Sequence, residues 1–423
     1  MRSLFELLGR PFGHNARALR KTISYLGPGF FVTIGFIDPG NWATNVAAGS
    51  ACNYDLLWVV LLGTIILILW QHMAAHLGII KGRSLAEAIR DNTRPWVAAV
   101  YGVTIFAACI ATALAEILGA AIGLEILLHI PLDVGAIIVT ILIAGALWFH
   151  RYHLMEKVII VFVSVIGLAY LAELYLVKPN WNAAMVHTFV PSVNSGNILI
   201  ALGVLGAVVM PHNLYLHSEV IQNREWGDRS EGGMKRLLRY EFLDTIFTMI
   251  VGMVINMAMI VVAAAVFFKH HVLIDNLSQA SATLTPIAGN LAGHIFGIGL
   301  LFAGIASAMT AGMAGGTVMN GFLKGNDGAE SKLSRAGMTL TLGIACILIL
   351  LVHDTFRALV LSQVCLSIQL PFTMLPLYLL TSSRRVMGDY ATGWLEKSAM
   401  VVTGVAILFM NALLVWQLLG GRF

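Results

Sequence analysis

The segment Asp38-Pro39-Gly40-Asn41 constrains the fold most, because it interrupts the apolar stretch 27–48. A proline removes a backbone N–H and clashes with the preceding helical turn. An ionisable side chain at membrane depth is costly and usually functional. A continuous membrane helix would avoid this combination. We therefore interpret the segment as a break in a helix, with the rest of the chain built as a frame around it.

The composition predicts a membrane protein with many spans. Of the 423 residues, 58% are hydrophobic and 11% are charged, whereas soluble domains carry about 25% charged residues. Eleven apolar segments are long enough to span a bilayer. They cover residues 27–48, 56–79, 96–127, 133–149, 155–177, 197–221, 241–268, 291–319, 335–352, 356–380 and 398–419. The expected fold class is an all-α polytopic membrane protein.

The basic residues predict the orientation in a cell inner or plasma membrane. Of the 26 lysines and arginines, all but Lys178, Lys269, Arg357 and Arg422 fall on the side of the N-terminus when loops alternate. Lys/Arg-rich loops are cytoplasmic, so the N-terminus is expected inside and the C-terminus outside. The short loops leave no room for a soluble enzyme or nucleic-acid-binding domain. No obligatory protein partner is evident, and a monomer is expected.

A second interruption, Met210-Pro211-His212-Asn213, lies in the sixth apolar segment. Five spans precede it and five complete a second set that runs in the opposite sense, which is typical of an inverted repeat with two discontinuous helices. We assign residues 1–26 to a cytoplasmic tail, 27–177 and 197–380 to the repeats, and 398–419 to an eleventh helix. The simpler alternative is a pair of proline kinks that bind nothing.

The side chains at the two breaks suggest a cation site. Asp38 offers a carboxylate, Asn41 an amide oxygen and Met210 a thioether, and backbone carbonyls are freed near Gly35 and Ala207. Oxygen ligands alone would suit Mg²⁺ or Ca²⁺, whereas a thioether favours transition metals. The set indicates Mn²⁺ or Fe²⁺, with Cd²⁺, Co²⁺ and Zn²⁺ as further guests. These ions are cargo, and no prosthetic group is expected.

Four stretches resemble the natural resistance-associated macrophage protein (Nramp) family of divalent-metal transporters: residues 38–41, 114–123, 210–218 and 362–372. The resemblance implies a LeuT-type fold, with two inverted five-helix repeats, broken helices 1 and 6, and an eleventh helix. It implies proton-linked import of Mn²⁺ or Fe²⁺ by alternating access. It also implies the metal ligands, which are Asp38, Asn41, Met210 and the carbonyls of Gly35 and Ala207.

Further residues gain a role from the same resemblance. Gln363 matches a residue that joins the metal site in some states, while Asn256 and Asn213 are expected beside it. The family usually has alanine in place of Gly35, and a carbonyl ligand survives that change.

The proton route is the second part of the expected site. Glu116 is the only acid deep in the third span, and histidines, which titrate near neutral pH, follow the second break at His212 and His217. The resemblance assigns Glu116 and His212 to the route, with Arg224 at its cytoplasmic end. The competing interpretation is that these are neutral, hydrogen-bonded interior residues.

The chain departs from the family pattern at two places on that route. Ala113 stands where the family usually has aspartate, and the ninth span has no arginine after Arg335. Losing both partners of a buried ion pair leaves folding intact, whereas losing one strands a charge. We therefore hypothesise that proton coupling is weakened, rerouted through Glu116 and His212, or absent.

Other functions stay open at this stage. They are a proton-uncoupled divalent-metal uniporter, a Na⁺-coupled amino-acid carrier of the same fold, and a channel or metal sensor. Asp38 would repel an amino-acid carboxylate, and a sensor would normally carry a soluble output domain. His72 and His76, spaced for one helix face, are interpreted as an ordinary pair at the membrane interface.

Overall fold

The computed structural model describes residues 37–149, 152–192, 197–223, 231–274, 277, 279, 290–323, 331–352 and 354–418. Regular structure in these ranges is helical. The α-helices are α1 Pro39–Cys52, α2 Leu57–Lys81, α3 Leu85–Asn92, α4 Pro95–Leu128, α5 Leu132–Phe149, α6 Tyr152–Val177, α7 Trp181–Phe189, α8 Ile198–Val208, α9 Pro211–Val220, α10 Glu231–Val266, α11 Asn290–Phe322, α12 Lys332–Leu351, α13 Thr355–Ser382, α14 Arg384–Met387 and α15 Trp394–Leu418.

The helices confirm a protein that crosses the membrane many times. Within the described residues, seven are long and apolar enough to span it, namely α2, α4, α10, α11, α12, α13 and α15. Shorter apolar helical stretches cover residues 132–148 and 164–177 in α5 and α6. Every predicted apolar segment from residue 56 onward coincides with a helix, and the sixth is divided between α8 and α9. The short helices α3, α7 and α14 lie in the connections.

The second predicted break appears in the backbone, and the helix that follows the first break begins as expected. Asp38 is extended and caps α1, which begins at Pro39. The chain leaves α8 after Val208, Met210 is extended, and α9 begins at Pro211. Proline suits the first position of a helix because its missing N–H would have no partner there and its φ is already helical. The prolines that interrupt the two spans therefore also start the helices that follow.

Small residues hold the frame tightly around the first break. Helices α4 and α11 form the most extensive helix pair. A methyl group added at Gly304 of α11 would lie 2.5 Å from the backbone nitrogen of Ala120 and 2.6 Å from the carbonyl oxygen of Glu116. One added at Gly119 of α4 would lie 2.2 Å from the Pro39 ring. Such small residues allow membrane helices to approach closely, and here they seat α1 against α4.

Substitution of Gly304 by alanine tests this packing. Because the obstructing atoms belong to the backbone of α4, Gly304→Ala should lower the free energy of unfolding by about 1–3 kcal/mol, the usual effect of overpacking. Gly343→Ala in α12 is the matched control, since a methyl group there meets nothing within 4 Å. Thermal unfolding in detergent compares the variants, and equal melting temperatures would contradict the close approach.

Candidate metal centre

The first break presents two buried oxygen atoms that no described group satisfies. The Oδ1 atom of Asp38 accepts hydrogen bonds from the backbone nitrogen of Asn41, at 2.7 Å, and from its Nδ2, at 2.6 Å. Both residues are fully buried. Asp38 Oδ2 and Asn41 Oδ1 have no hydrogen-bond partner. Buried polar atoms are nearly always paired, so these two oxygens are available to bind a cation.

A hydrogen bond joins the two breaks directly. Asn41 Nδ2 donates to the carbonyl oxygen of Ala207 at 3.2 Å, across 166 positions of sequence. Met210, two residues beyond the end of α8, is buried, and its sulfur lies 3.7 Å from Asn213 Nδ2. The structure thus brings Asp38, Asn41 and Ala207 together, with Met210 on the same break as Ala207.

Helix α13 closes another side of this junction with Gln363. A methyl group at Gly40 would lie 2.0 Å from Gln363 Nε2 and 3.0 Å from Asp38 Oδ2. The amide of Gln363 and the free oxygen of Asp38 therefore border the same small space, which only a glycine leaves open. Neither polar atom of the Gln363 amide has a partner in the described structure. Gly35 and Arg224, predicted as a carbonyl ligand and as the end of the proton route, lie outside the described residues.

Glu116 lies beside the junction on α4. Its Oε2 accepts a hydrogen bond from the Ser307 hydroxyl of α11, while its Oε1 is buried without a described partner. The carboxyl groups of Glu116 and Asp38 are electrostatic neighbours. Two carboxylates this close in a nonpolar interior repel each other, so a proton or a cation between them stabilises the pair.

The remaining predicted residues separate into two regions. His212 is fully buried beside α4, with its Nδ1 3.2 Å from the Thr112 hydroxyl. Asn256 of α10 accepts a hydrogen bond from Asn45, one turn beyond Asn41, at 2.5 Å. His217 instead faces α2, where its Nδ1 lies 3.0 Å from Gln71 Oε1. Asn256 and His212 therefore flank the junction, whereas His217 belongs to a different cluster.

Sequence reasoning missed several partners and the burial of one pair. Ser307 lies in a helix of small residues and Gln71 in an apolar segment, so neither stood out. His72 and His76 are buried inside the protein, with only 5% and 7% of their surfaces exposed. The i,i+4 spacing shows that the two histidines share one face of α2. The carboxylate that pairs with His72 on that face is Glu241 of α10, which lies far along the chain.

An aromatic group covers the junction. The Trp42 indole nitrogen donates to the carbonyl oxygen of Ile37 at 3.0 Å. Its ring packs edge-on against Tyr170, with centroids 5.0 Å apart, and against Phe296, at 5.2 Å. Trp42 thus fixes the backbone just before Asp38 and seals the site against α6 and α11.

The donor set is unusual for a tightly bound metal. Among the described residues, no group of three or more His, Cys, Asp or Glu side chains is placed to hold an ion. The junction instead offers one carboxylate, amide oxygens, a carbonyl and a thioether. One charged ligand among neutral donors would bind a divalent ion less tightly than a cluster of several acidic side chains would.

These features define a polytopic membrane protein in which two broken helices meet around a buried carboxylate. The chain belongs to the Nramp family, since the family model for natural resistance-associated macrophage protein-like sequences matches residues 29–417. The divalent metal cation transporter MntH of Caldanaerobacter subterraneus subsp. tengcongensis is 38% identical over 408 residues, covering 96% of this chain and 95% of that protein. The natural resistance-associated macrophage protein 2 homolog of Dictyostelium discoideum is 35% identical over 413 residues, covering 95% and 64%.

Solved structures give the same family and fold. The crystal structure of the Eremococcus coleocola manganese transporter, in complex with an aromatic bis-isothiourea substituted compound, matches with a TM-score of 0.85 and 26% identity, covering 95% of this chain and 87% of that one. A nucleobase-cation-symport-1 family transporter in a closed conformation matches with a TM-score of 0.56 at 12% identity, covering 91% of each chain, and shares the fold alone. The predicted LeuT-type fold is confirmed.

Two substitutions at Trp42 separate its packing from its hydrogen bond. Trp42→Phe keeps most of the ring contacts and should reduce stability by about 1 kcal/mol, the net value of one hydrogen bond. Trp42→Ala also removes the packing and should reduce it by about 3–5 kcal/mol. Thermal unfolding in detergent measures both. Equal losses for the two variants would mean that the ring contacts do not stabilise the break.

Proposed function

We propose that this protein is a secondary transporter that imports Mn²⁺ by alternating access, with Asp38, Asn41, Met210 and the carbonyl of Ala207 as metal ligands. The observation that carries the proposal is the junction of the two breaks, where Asp38 Oδ2 and Asn41 Oδ1 are buried without described partners and Asn41 bonds to Ala207. The carbonyl of Gly35 and the amide of Gln363 complete the set. The relatives, which include a divalent metal cation transporter and a manganese transporter, support the same function.

The chemistry of the ligands favours manganese over the alkaline-earth ions. Asp38 supplies the charge that any divalent cation requires. Ca²⁺ and Mg²⁺ take oxygen ligands, and a thioether adds little to their binding. Met210 adds a soft ligand, which suits transition metals. Fe²⁺ and, as further cargo, Cd²⁺, Co²⁺ and Zn²⁺ fit the same set.

The geometry also indicates how metal binding is linked to the two helical breaks. The Asn41 amide bonds at once to Asp38 in the first break and to Ala207 in the second. A cation held by the free oxygens of Asp38 and Asn41 would draw the same two backbone segments together. Its release requires the breaks to separate, as when one repeat rocks against the other.

The direction of transport and the state of assembly complete the proposal. Basic residues concentrate on one side of the predicted spans, which supports a cytoplasmic N-terminus, and the proposed import would carry the metal toward that side. A monomer suffices, because all the proposed ligands come from one chain. A Na⁺-coupled amino-acid carrier is less favoured, since Asp38 would repel the carboxylate of such a substrate.

Substitution of Met210 tests the metal site. Met210→Ala should weaken Mn²⁺ and Cd²⁺ uptake relative to Ca²⁺ by about tenfold, the lower end of what a lost metal-site interaction produces. Met400→Ala in α15 is the control, because that methionine is equally buried. Uptake into proteoliposomes with competing cations measures the ratio. Unchanged selectivity in Met210→Ala would exclude a thioether ligand, and wild-type protein that takes up no divalent metal would exclude the function.

We further propose that protons accompany the metal and that Glu116 and His212 carry them. The adjacency of Glu116 and Asp38 supports this, because a metal ion arriving at Asp38 displaces a proton shared by the two acids. His217 and Arg224 were assigned to the same route, but only His217 is described, and it lies in the separate cluster on α2. Ala113 and the absence of arginine after Arg335 in the ninth span favour the competing proposal, a metal uniporter.

Proton movement is measured with a pH dye trapped in the proteoliposomes. We expect Mn²⁺ influx to acidify the interior, and we expect Glu116→Gln to transport the metal with less acidification. The matched control is Glu125→Gln, on the same helix and outside the buried set. Metal influx with no acidification in the wild type would establish the uniporter.

A further inference from the structure

A second buried polar cluster lies on the side of α2 that faces α9 and α10. We call it the inner histidine cluster, and it comprises Gln71, His72 and His76 of α2, His217 of α9 and Glu241 of α10. At its centre, His72 Nδ1 lies 2.5 Å from Glu241 Oε2. Only 5% of His72 and 2% of Glu241 is exposed. The other Glu241 oxygen accepts a hydrogen bond from the Thr245 hydroxyl at 2.8 Å.

The cluster extends from this ion pair in two directions. Along α2, the ring of His76 stacks on that of His72 with centroids 5.9 Å apart. Across to α9, Gln71 Oε1 lies 3.0 Å from His217 Nδ1. Both ring nitrogens of His76, Nε2 of His217 and Nε2 of Gln71 are buried without partners in the described structure. Native proteins rarely leave several such atoms unsatisfied together.

This cluster is distinct from the metal centre but mechanically linked to it. None of its residues borders the junction of the two breaks. His217 follows Met210 by seven residues on the same short helix, α9, which begins at the second break. A movement of that break therefore changes the contact between His217 and Gln71. The arrangement provides a physical connection between metal binding and the charge state of the cluster.

We propose that the inner histidine cluster binds and releases a proton in the transport cycle, held between His72 and Glu241. This rests on the proposed transport function. A buried imidazolium–carboxylate pair has no net charge, whereas removing its proton leaves a buried negative charge. Small changes in the charge or solvation around the pair therefore change whether the proton is bound. Histidine changes its charge closest to neutral pH. His76 and His217 are the groups that can pass the proton on.

Several charged groups lie around the pair. Asp244 follows Glu241 on the buried face of α10, and Glu396 of α15 interacts electrostatically with His72. The basic residues that precede Glu241 on α10 are exposed or half-buried, namely Lys235, Arg236 and Arg239. Arg384 and Arg385 of α14, which packs against α2, are exposed, and helix α8 carries no charged residue. Among the described residues, the fully buried charged neighbours of His72 are thus the carboxyl groups of Glu241 and Asp244, which suits a proton held between His72 and Glu241. A metal site is less favoured, because no three cluster side chains are placed to hold one ion.

The test compares Glu241→Gln and His72→Gln with the wild type in proteoliposomes containing a pH dye. His187→Gln is the matched control, because His187 forms a half-buried counterpart of this pair, with Asp55 at 3.1 Å. We expect both cluster variants to keep their Mn²⁺ affinity while Mn²⁺-evoked proton flux falls about tenfold, a typical size for the coupling between two bound ligands. Their uptake should also lose its dependence on pH between about pH 5 and 8. The control should behave as the wild type.

The outcomes distinguish this proposal from the transport function. Wild-type protein that takes up no Mn²⁺ would overturn the function itself. Mn²⁺ uptake without any proton movement would overturn the cluster proposal and leave the metal function standing. Unchanged proton flux and pH profile in both cluster variants would also overturn it. So would loss of Mn²⁺ binding in folded, monodisperse Glu241→Gln, because the cluster would then belong to the metal centre. Partial recovery of proton flux in Glu241→Asp would support it.

Discussion

The contact on which the structure depends is the bond from the Asn41 amide to the carbonyl of Ala207, made by a side chain that also holds Asp38. Each break frees backbone groups at a depth where water is scarce, and such groups are tolerated only when protein or a water-filled cavity satisfies them. The Asn41 amide in the first break satisfies a carbonyl of the second break in this way. The contact between the breaks and the site that they form therefore meet the same requirement.

This arrangement still leaves free oxygens on Asp38 and Asn41, each costing about 1–3 kcal/mol when buried without a partner. Tight packing elsewhere offsets that cost. Gly119 lets Pro39 lie against α4, and Gly304 brings α11 onto the same helix. Neither glycine is a proposed metal ligand. Their close helix contacts nevertheless determine how near the carboxyl groups of Asp38 and Glu116 can come. The unpaired oxygens at the junction and the close packing of the helices around it therefore belong together.

Sequence alone predicted the spans, because each is a long apolar segment. It also predicted both breaks, because a proline or a carboxylate inside such a segment interrupts the apolar pattern. It also predicted that Asp38 and Met210 belong to matched breaks, since the motifs repeat. It could not find Ser307, Gln71 or the Glu241 partner of His72. Those contacts join residues more than 100 positions apart, and their pairing depends on helix rotation. For the same reason, the burial of His72 and His76 inside the protein was not predicted.

The distribution of buried acids explains how metal and proton chemistry can be separated in one chain. Under the proposed function, a cation and a proton compete directly at Asp38 and Glu116. His72 and Glu241 form a second buried pair, between α2 and α10, at which no metal is proposed. Helix α9 begins at the second break and contacts this cluster through His217. A rigid shift of this one short helix would therefore couple the two proposed sites.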